Sequence, residues 1–219
     1  MSSGHFLDAV APLLTDRPDP VVVRTLRDAW PAERLIPLLA TEDAETQRLV
    51  VVCLGIVGQM THCRYVAAML RSPDNAVGEA AENSLWQIWM RAGTSWATQL
   101  LRRALAHVEV DAFAAADELL ATITLSEPTF AEPHHQRGLV QTLLQESAVA
   151  LPCYQQALRL NPYHFAAAEG IGQIYLERGA LPRAHEYYAH ALHINPRLTL
   201  AREIVTGLQE ALRREHDAG

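Results

Sequence analysis

Histidine is the first residue type to test for chemistry here, because imidazole binds metals and transfers protons near neutral pH. The sequence has ten histidines. Six of them lie between positions 130 and 195, namely His134, His135, His164, His185, His190 and His193. His190 and His193 are three residues apart on one predicted helix and can share a face. A zinc site usually needs three or four convergent ligands, and no cysteine joins these histidines. We therefore expect surface or packing histidines, no metal ion and no cofactor.

The sequence contains none of the common hydrolase or phosphate-binding motifs. All 18 basic residues are arginine, which excludes a Walker-type lysine, a Schiff-base lysine and a Ser–Lys dyad. No Gly-x-Ser-x-Gly elbow occurs, and the Gly-x-Gly at 170–172 lies within a predicted helix that no strand precedes. Cys53, Cys63 and Cys153 stand in apolar helical contexts and are never spaced as CxxC. These observations indicate a protein that is not an enzyme.

Composition narrows the class of partner and the compartment. The apolar share of 49% is enough for a continuous core, and the net charge of −7 disfavours a nucleic-acid partner. No apolar stretch approaches the ~20 residues that a membrane span requires, so we expect no membrane partner. The first eight residues lack the basic region of a secretory leader. We expect a cytoplasmic protein, and the lack of lysine, typical of GC-rich coding, favours a bacterial source.

A repeat with a period of 34 residues runs through the second half of the sequence. Pro128, Pro162 and Pro196 follow one another at this interval, and an asparagine precedes the last two. Small residues and tyrosines recur between the prolines. The three predicted units carry Ala104, Ala116 and Leu120; Gly138, Ala150, Tyr154 and Ala157; and Gly172, Tyr175, Ala184, Tyr188 and Ala191.

These residues resemble the signature of the tetratricopeptide (TPR) repeat, whose helix pair has this length. The resemblance divides 94–219 into repeats at about 97–130, 131–164 and 165–198, followed by a capping helix over 197–216. It implies that small residues allow close approach of two antiparallel helices and that each proline ends a second helix. Pro152 conflicts with the pattern, because it falls inside the second helix of the middle repeat. That helix is predicted either to begin late or to be kinked.

Residues 1–93 show a different repeat pattern. An acidic turn precedes each of three predicted helices at about 21–30, 46–59 and 76–90. Asp19 and Asp43 each precede an arginine, Arg24 and Arg48, by five residues. This resembles short HEAT repeats of the phycobilisome-lyase type, in which such aspartates and arginines bond along the stack. The third unit has Glu79 where arginine is expected, so the ladder is predicted to stop there.

The expected fold is all-α, a right-handed α-α superhelix or solenoid of about thirteen helices arranged in antiparallel pairs, HEAT-like and then TPR. The segment 84–93 is apolar nearly all round, which predicts burial on more than one side. We expect its tryptophans, Trp86 and Trp89, together with Trp96 to join the two halves into one superhelix.

The TPR resemblance implies a concave groove lined by positions 2, 5, 9 and 12 of each first helix. These positions are Thr98, Leu101, Leu105 and Val108; Glu132, His135, Leu139 and Thr142; and Ala166, Glu169, Gln173 and Leu176. The lysines, asparagines and arginines of TPR clamps for C-terminal carboxylates are not among them. The mixed lining favours another protein as partner, through an apolar helix or extended segment with some positive charge.

Three hypotheses of function follow from this pattern. The chain is an adaptor or scaffold that binds a partner segment in the groove, without catalysis. Alternatively, the leucines are covered by the superhelix itself or by another copy, which would make the chain a self-assembling structural subunit and a homo-oligomer. A third hypothesis is a HEAT-type accessory protein that binds a small molecule.

Overall fold

The computed structural model describes residues 6, 9, 10 and 20–218. Residues 20–218 form twelve α-helices and two short 3-10 helices, and the described residues contain no strand. From Ser95 to Ala218, each helix packs against the next one in sequence order. This confirms the predicted all-helical class of paired helices. No helix in the described part is long and apolar enough to span a membrane. The chain divides into two compact units, Met1–Trp89 and Met90–Gly219.

From residue 20 onwards the first unit contains five α-helices. They are α1 (Pro20–Ala29), α2 (Ala32–Leu35), α3 (Ala44–Val57), α4 (Cys63–Met69) and α5 (Asn75–Met90). A 3-10 helix at Ile36–Ala40 follows α2, and another at Met60–His62 precedes α4. Side-chain caps start the two longest helices: Asp43 accepts the Thr46 N–H (2.9 Å) and Asp74 accepts the Val77 N–H (3.1 Å).

The bonds expected of a HEAT ladder are replaced by local ones in the described part of this unit. Arg48 binds Glu45 one turn earlier (2.7 Å), while Asp43 is used to cap α3. Arg24 lies 3.9 Å from Asp28, in a pair that is mostly exposed to solvent. The expected partner Asp19 and the first predicted turn lie outside the described residues. The HEAT-like character of residues 1–93 therefore stays a prediction.

The second unit consists of three helix pairs and a final helix. The pairs are α6 (Ser95–Val108) with α7 (Phe113–Ser126), α8 (Ala131–Leu143) with α9 (Ser147–Leu160), and α10 (Phe165–Glu177) with α11 (Leu181–Ile194). The last helix, α12 (Thr199–Ala218), buries Ala201 and Leu208 against α11 and exposes Arg202, Glu203 and its later arginines. An amphipathic end helix of this kind covers the apolar side of the last pair.

The turn inside each pair repeats with the 34-residue period. Asp111, Gln145 and Gly179 have φ values of 57°, 62° and 70°, and each lies shortly after the first helix of its pair. This left-handed conformation is easy for glycine and strained for other residues. The three pairs therefore share one turn geometry, although only the third has the residue that best suits it.

The corner between pairs is also shared. Pro128, Pro162 and Pro196 each come two residues after the end of a second helix. At two corners an asparagine side chain holds the turn: Asn161 Oδ1 accepts the Tyr163 N–H (3.2 Å) and Asn195 Oδ1 accepts the Arg197 N–H (3.1 Å). The three prolines therefore occupy equivalent places, which is the arrangement that the period implies.

Glycine allows the closest contacts between helices in the second unit. A Cβ on Gly138 would lie 2.7 Å from the ring of Tyr154, and one on Gly172 would lie 2.8 Å from the ring of Tyr188. The tyrosine of α9 also packs against Gly170 of α10, so it joins two consecutive pairs. The middle second helix, α9, begins at Ser147 and continues through Pro152. It does not begin late.

Candidate functional site

Three of the predicted groove residues are buried in the structure. Leu101 is fully buried and packs with Ala104 and Leu120 in the core of the first pair. Glu132 is also fully buried, and His135 is 6% exposed. These three predicted groove residues do not present their side chains to a partner. Helical periodicity places a residue on one side of its helix, but it does not determine whether other elements cover that side.

The remaining groove residues keep solvent access. Leu139 is 36% exposed, and the others are half-buried, namely Thr98, Leu105, Val108, Thr142, Ala166, Glu169, Gln173 and Leu176. Leu176 also packs against the core of the third pair. Three of these accessible positions lie on α6, two on α8 and four on α10, and the most exposed of them is Leu139 on α8.

Glu132, His135 and His164 form a buried polar cluster at the start of α8 and α10. One carboxylate oxygen of Glu132 lies 3.2 Å from His135 Nδ1 and accepts from Gln136 Nε2 (2.7 Å). The other lies 3.2 Å from His164 Nε2. The two imidazole rings are 4.3 Å apart between centroids. The cluster connects two consecutive pairs through side chains that are removed from water.

The hydrogen bonds of His164 indicate which of its nitrogens carries the proton. His164 precedes α10, and its Nδ1 accepts the N–H of Ala167 (3.3 Å) as a helix cap. Nε2 of the neutral ring is therefore protonated and donates to Glu132. Burial lowers the pKa of the His164 imidazole to about 4, which keeps the ring neutral at pH 7.

Glu132 is held as a carboxylate in this buried place. Burial alone would raise the pKa of its carboxyl group. The hydrogen bonds from His135 and His164 outweigh that effect, and they lower the pKa below its usual range. A buried carboxylate that accepts three hydrogen bonds avoids most of the cost of leaving water.

The three residues also offer a donor set for a metal ion, since one ligand atom from each lies within 4.8 Å of the others. Two imidazoles and a carboxylate are suitable ligands for zinc. However, a metal on His164 Nε2 would place the ring proton on Nδ1, against the Ala167 N–H that Nδ1 now accepts. Metal-bound histidines usually donate from the second nitrogen. We therefore interpret the group as a hydrogen-bonded cluster, and the expected absence of a metal stays a prediction.

A second arrangement lies on the accessible sides of α8 and α10, which we call the α8–α10 face. It consists of Leu139, Thr142 and Leu143 on α8 and of Glu169, Gln173 and Glu177 on α10. Leu139 and Leu143 are 36% and 48% exposed and stand one turn apart. The residues on α10 are spaced four apart and also share one side of their helix. An apolar row and an acidic polar row thus occupy neighbouring helices.

A chain of hydrogen bonds organises the polar row. The hydroxyl of Tyr188 donates to Gln173 Oε1 (2.9 Å), and Gln173 Nε2 donates to Glu177 Oε1 (2.8 Å). The ring of Tyr188 is almost fully buried against Gly172. The orientation of Gln173, and through it of Glu177, is therefore fixed from the core. Sequence reasoning identified Gln173 but included neither Tyr188 nor Glu177 in the groove.

The pKa values of two tyrosines, one beside each row, respond to the same carboxylate. Burial raises the pKa of Tyr188 to about 12, and the nearby carboxylates of Glu169 and Glu177 act in the same direction. Burial likewise raises the pKa of Tyr154, whose hydroxyl lies 3.3 Å from Thr142 Oγ1, and Glu177 contributes to that shift too. The carboxylate of Glu177 therefore acts on both of these tyrosine hydroxyls.

A separate cavity lies outside the α8–α10 face. It has a volume of about 440 Å³ and is lined by Gln155, Leu158, Arg159, Ile171 and Tyr187. None of the predicted groove residues contributes to it.

The fold places this chain among helical repeat structures of the TPR kind. The first TPR of Spaghetti (RPAP3), bound to the HSP90 peptide SRMEEVD, is similar over 53% of this chain and 93% of that chain, with 19% identity and a TM-score of 0.51. The MamA protein is similar over 71% of this chain and 85% of that chain, with 21% identity and a TM-score of 0.51. No protein-family model matches the sequence, and neither does any curated protein. At these identities the likeness concerns the fold.

Proposed function

We propose that this chain is a non-catalytic adaptor that holds a segment of another protein on the α8–α10 face. The observation that carries the proposal is the pairing of exposed leucines on α8 with a hydrogen-bonded acidic row on α10. Apolar anchors with oriented polar groups beside them are what peptide-binding surfaces use. A TPR-like fold supports the role in general, since stacked repeats provide extended binding surfaces.

The chemistry of this face disfavours an acidic tail as partner. The peptide SRMEEVD, which is bound to the first TPR of Spaghetti, has three acidic residues and one arginine. On this chain such a peptide would meet Glu169 and Glu177, and like charges repel. We expect no measurable binding of a fluorescent SRMEEVD peptide to this protein. Saturable binding would contradict our assignment of charge to the groove.

The groove itself is tested with arginines placed on its two rows. We expect the double substitution Leu139→Arg with Gln173→Arg to abolish capture of the proteins that the wild-type chain retains from a cell lysate, as measured by quantitative mass spectrometry. The melting temperature is expected to stay within a few degrees, because Leu139 is exposed and the loss of the bond from Tyr188 to Gln173 costs only about 1 kcal/mol. Unchanged capture would remove the α8–α10 face from the proposal.

A matched control adds the same two charges elsewhere. Leu125 on α7 and Leu200 on α12 are 84% and 67% exposed. The double substitution Leu125→Arg with Leu200→Arg is therefore expected to capture the same proteins as the wild type. Loss of capture in this control would assign the effect to net charge and not to the groove.

Self-association is a second candidate function. Besides the α8–α10 face, the second unit exposes Val110, Leu125 and Leu200, each to more than 60%. Apolar side chains distributed over several surfaces suit a subunit that is covered by its own copies. Light scattering at several concentrations tests this candidate. A monomer at every concentration would eliminate it, while a stable oligomer that buries Leu139 would replace the adaptor proposal.

A further inference from the structure

A cavity beside α9, α10 and α11 lies outside the α8–α10 face and shares no residue with it. It has a volume of about 440 Å³ and is lined by Gln155, Leu158, Arg159, Ile171 and Tyr187. We propose that this cavity binds a small organic acid, in which one carboxylate is joined to an apolar group such as a phenyl ring or a short alkyl chain. The adaptor function makes no use of the cavity, so the two sites can be tested separately.

Three helices contribute to the lining of the cavity. Gln155 and Arg159 stand four residues apart on α9, so they share one side of that helix. Tyr187 comes from α11. Ile171 of α10 is fully buried, and together with the half-buried Leu158 it supplies the apolar part of the lining. The cavity therefore combines an apolar part with three polar side chains.

The three polar side chains have hydrogen-bonding groups that the protein does not use. Across the described part of the chain, the side chains of Gln155, Arg159 and Tyr187 form neither a hydrogen bond nor an ion pair. The acidic residue next to Tyr187 in sequence is Glu186, and it lies 3.7 Å from Arg183 instead. A guanidinium, an amide and a phenol are thus available to a ligand in one cavity.

Packing of the repeats does not account for this polar set. The corresponding places one repeat earlier, 34 residues towards the N-terminus, are held by Ala121, Leu125 and Cys153. The helices there still pack in the same order, α7 against α8 and α8 against α9. Since the same packing is built without polar residues at these places, the polar set of the cavity points to a bound molecule.

The charge of the cavity fits one carboxylate. Of the described residues that line it, only Arg159 is charged, and it lies in the last turn of α9, where the helix dipole carries a partial negative charge. A single guanidinium in that place balances one negative charge and not two. Its planar N–H groups bind both oxygens of a carboxylate in parallel. Burial raises the pKa of Tyr187, so its hydroxyl stays protonated at pH 7 and can donate as well.

The size and the apolar part of the lining indicate the rest of the ligand. Pockets for small molecules have volumes of about 300–1,000 Å³ and a mostly apolar lining with a few polar groups. The cavity, at about 440 Å³, lies near the lower end of this range. A bare anion would leave the half-buried Leu158 in contact with water, and a purely apolar molecule would cover Arg159 without pairing its charge, which is costly. A small molecule with both parts avoids both costs.

The experiment is a titration of the full-length protein, labelled in its isoleucine and leucine methyl groups and followed by NMR at pH 7. The acidic probes are phenylacetate and hexanoate, and their neutral counterparts are phenylacetamide and hexanamide. We expect both acids to shift the methyl signals of Leu158 and Ile171 saturably, with dissociation constants of about 0.1–1 mM. We expect the amides to bind at least about tenfold more weakly, because they carry no charge for Arg159.

Two variants and a control assign the binding to the cavity. Arg159→Gln is expected to weaken binding of both acids about tenfold or more and to leave the binding of the amides unchanged. Tyr187→Phe keeps a ring that stacks on Tyr175, whose centroid is 5.7 Å away, and is expected to weaken the acids about threefold through loss of the hydroxyl. Arg103→Gln on α6 is the matched control, since it removes an exposed arginine away from the cavity, and its affinity is expected to equal that of the wild type. The methyl spectrum of each variant without probe shows whether it is folded.

Several results would contradict the proposal. Equal binding of acids and amides, or equal binding by the wild type and Arg159→Gln, would mean that the charge plays no part. Methyl shifts confined to residues outside the cavity, or no saturable shift up to about 10 mM of either acid, would eliminate the site. Tighter binding of phenyl phosphate than of phenylacetate would refute the assignment of a single negative charge.

A peptide arm distinguishes a small molecule from the end of a polypeptide. The probe is the peptide acetyl-Ala-Leu-Phe with a free C-terminal carboxylate. We expect it to bind no more tightly than phenylacetate, and binding at least about tenfold tighter than both acids would overturn the assignment to a small molecule. Capture of partner proteins by the α8–α10 face is expected to be unchanged in Arg159→Gln, so failure at the cavity and failure at the face remain distinguishable.

Discussion

His164 Nε2 donates a hydrogen bond of 3.2 Å to Glu132 Oε2 across 32 positions of sequence, and both side chains are fully buried. Glu132 belongs to the first turn of α8, while His164 caps the start of α10. The bond therefore connects two consecutive helix pairs at the same end. Removing either partner would leave the other polar group buried with fewer hydrogen bonds.

Substitution of Glu132 tests how much this cluster stabilises the fold. Glu132→Gln places an amide donor where His135, His164 and Gln136 now direct their own ring or amide nitrogens. We expect a loss of about 2–4 kcal/mol in the free energy of unfolding, measured by urea titration. Glu118→Gln is the surface control and is expected to leave the midpoint unchanged. Equal midpoints for the two variants would show that the cluster contributes nothing.

Stability is expected to fall on acidification, and His164 accounts for part of the effect. The pKa of this imidazole is 6.5 in its ordinary state and about 4 in the folded protein. Between these values the unfolded chain binds a proton that the folded chain does not, so lowering the pH favours unfolding. The stabilisation is complete above pH 6.5 and is lost as the pH falls towards 4. The lowered pKa of Glu132 adds a further loss below its ordinary value of 4.5.

Urea midpoints between pH 7.5 and pH 4 measure this dependence. His164→Asn removes the titrating ring and keeps a side chain that caps helices well. We expect this variant to be less stable than the wild type at pH 7.5 and to show a shallower decline with acidification. A decline as steep as that of the wild type would assign the pH dependence to other groups.

The left-handed turn residues offer a stabilising substitution. Gln145 has a φ of 62° where the third pair has Gly179 at 70°. A left-handed backbone costs an ordinary residue about 1–2 kcal/mol. Glycine avoids this cost, but it loses more conformational freedom on folding, which offsets part of the gain. We expect Gln145→Gly to raise the free energy of unfolding by about 0.5–1 kcal/mol. Gly179→Ala is expected to lower it by about 1 kcal/mol, although open space surrounds that position. A loss of stability in Gln145→Gly, or a gain in Gly179→Ala, would mean that the turns are not equivalent.

Two glycine-to-alanine changes are expected to act in opposite directions. A Cβ at Gly138 meets the ring of Tyr154 at 2.7 Å, whereas one at Gly207 on α12 meets nothing within 4 Å. We expect Gly138→Ala to destabilise by about 1–3 kcal/mol, because the ring must move in a packed core. Gly207→Ala is expected to stabilise by up to about 1 kcal/mol through helix propensity alone. Thermal unfolding of both variants decides the comparison.

The paired helices of the second unit were predictable because their determinants are local. The period of the prolines predicted the turns between successive helix pairs. Small residues such as Gly138 and Gly172 predicted where two helices lie in close contact, since only small side chains allow two helices to approach so closely. The left-handed turns were not foreseen at Asp111 and Gln145, because those residues do not favour the conformation that the fold imposes on them.

The candidate site was predictable only in part. Glu132 and His135 occupy groove positions by helical periodicity, yet they are buried, because their environment depends on residues one repeat away in sequence. Their spacing of three and the position of His164 at the start of the next first helix were the available signals. Tyr188 was missed because position rules consider one helix face at a time, whereas its hydrogen bond to Gln173 runs between α11 and α10. Glu177 shares a side of α10 with Gln173, but it stands one residue beyond the last of the four groove positions.

Glu132 and His164 occupy the second and last places of the same 34-residue block, 131–164. A tandem duplication of that block would therefore bring a complete copy of the hydrogen-bonded pair with it, and the junction would fall just after the Asn161-Pro162 corner, between His164 and the second Ala131. Duplicating 97–130 or 165–198 would not, because those blocks have Thr98 and Phe130, or Ala166 and Leu198, at the corresponding places. Adding one repeat to this array is thus not equivalent at every position. Of the three blocks, the middle one contains both residues of the buried hydrogen bond between Glu132 and His164.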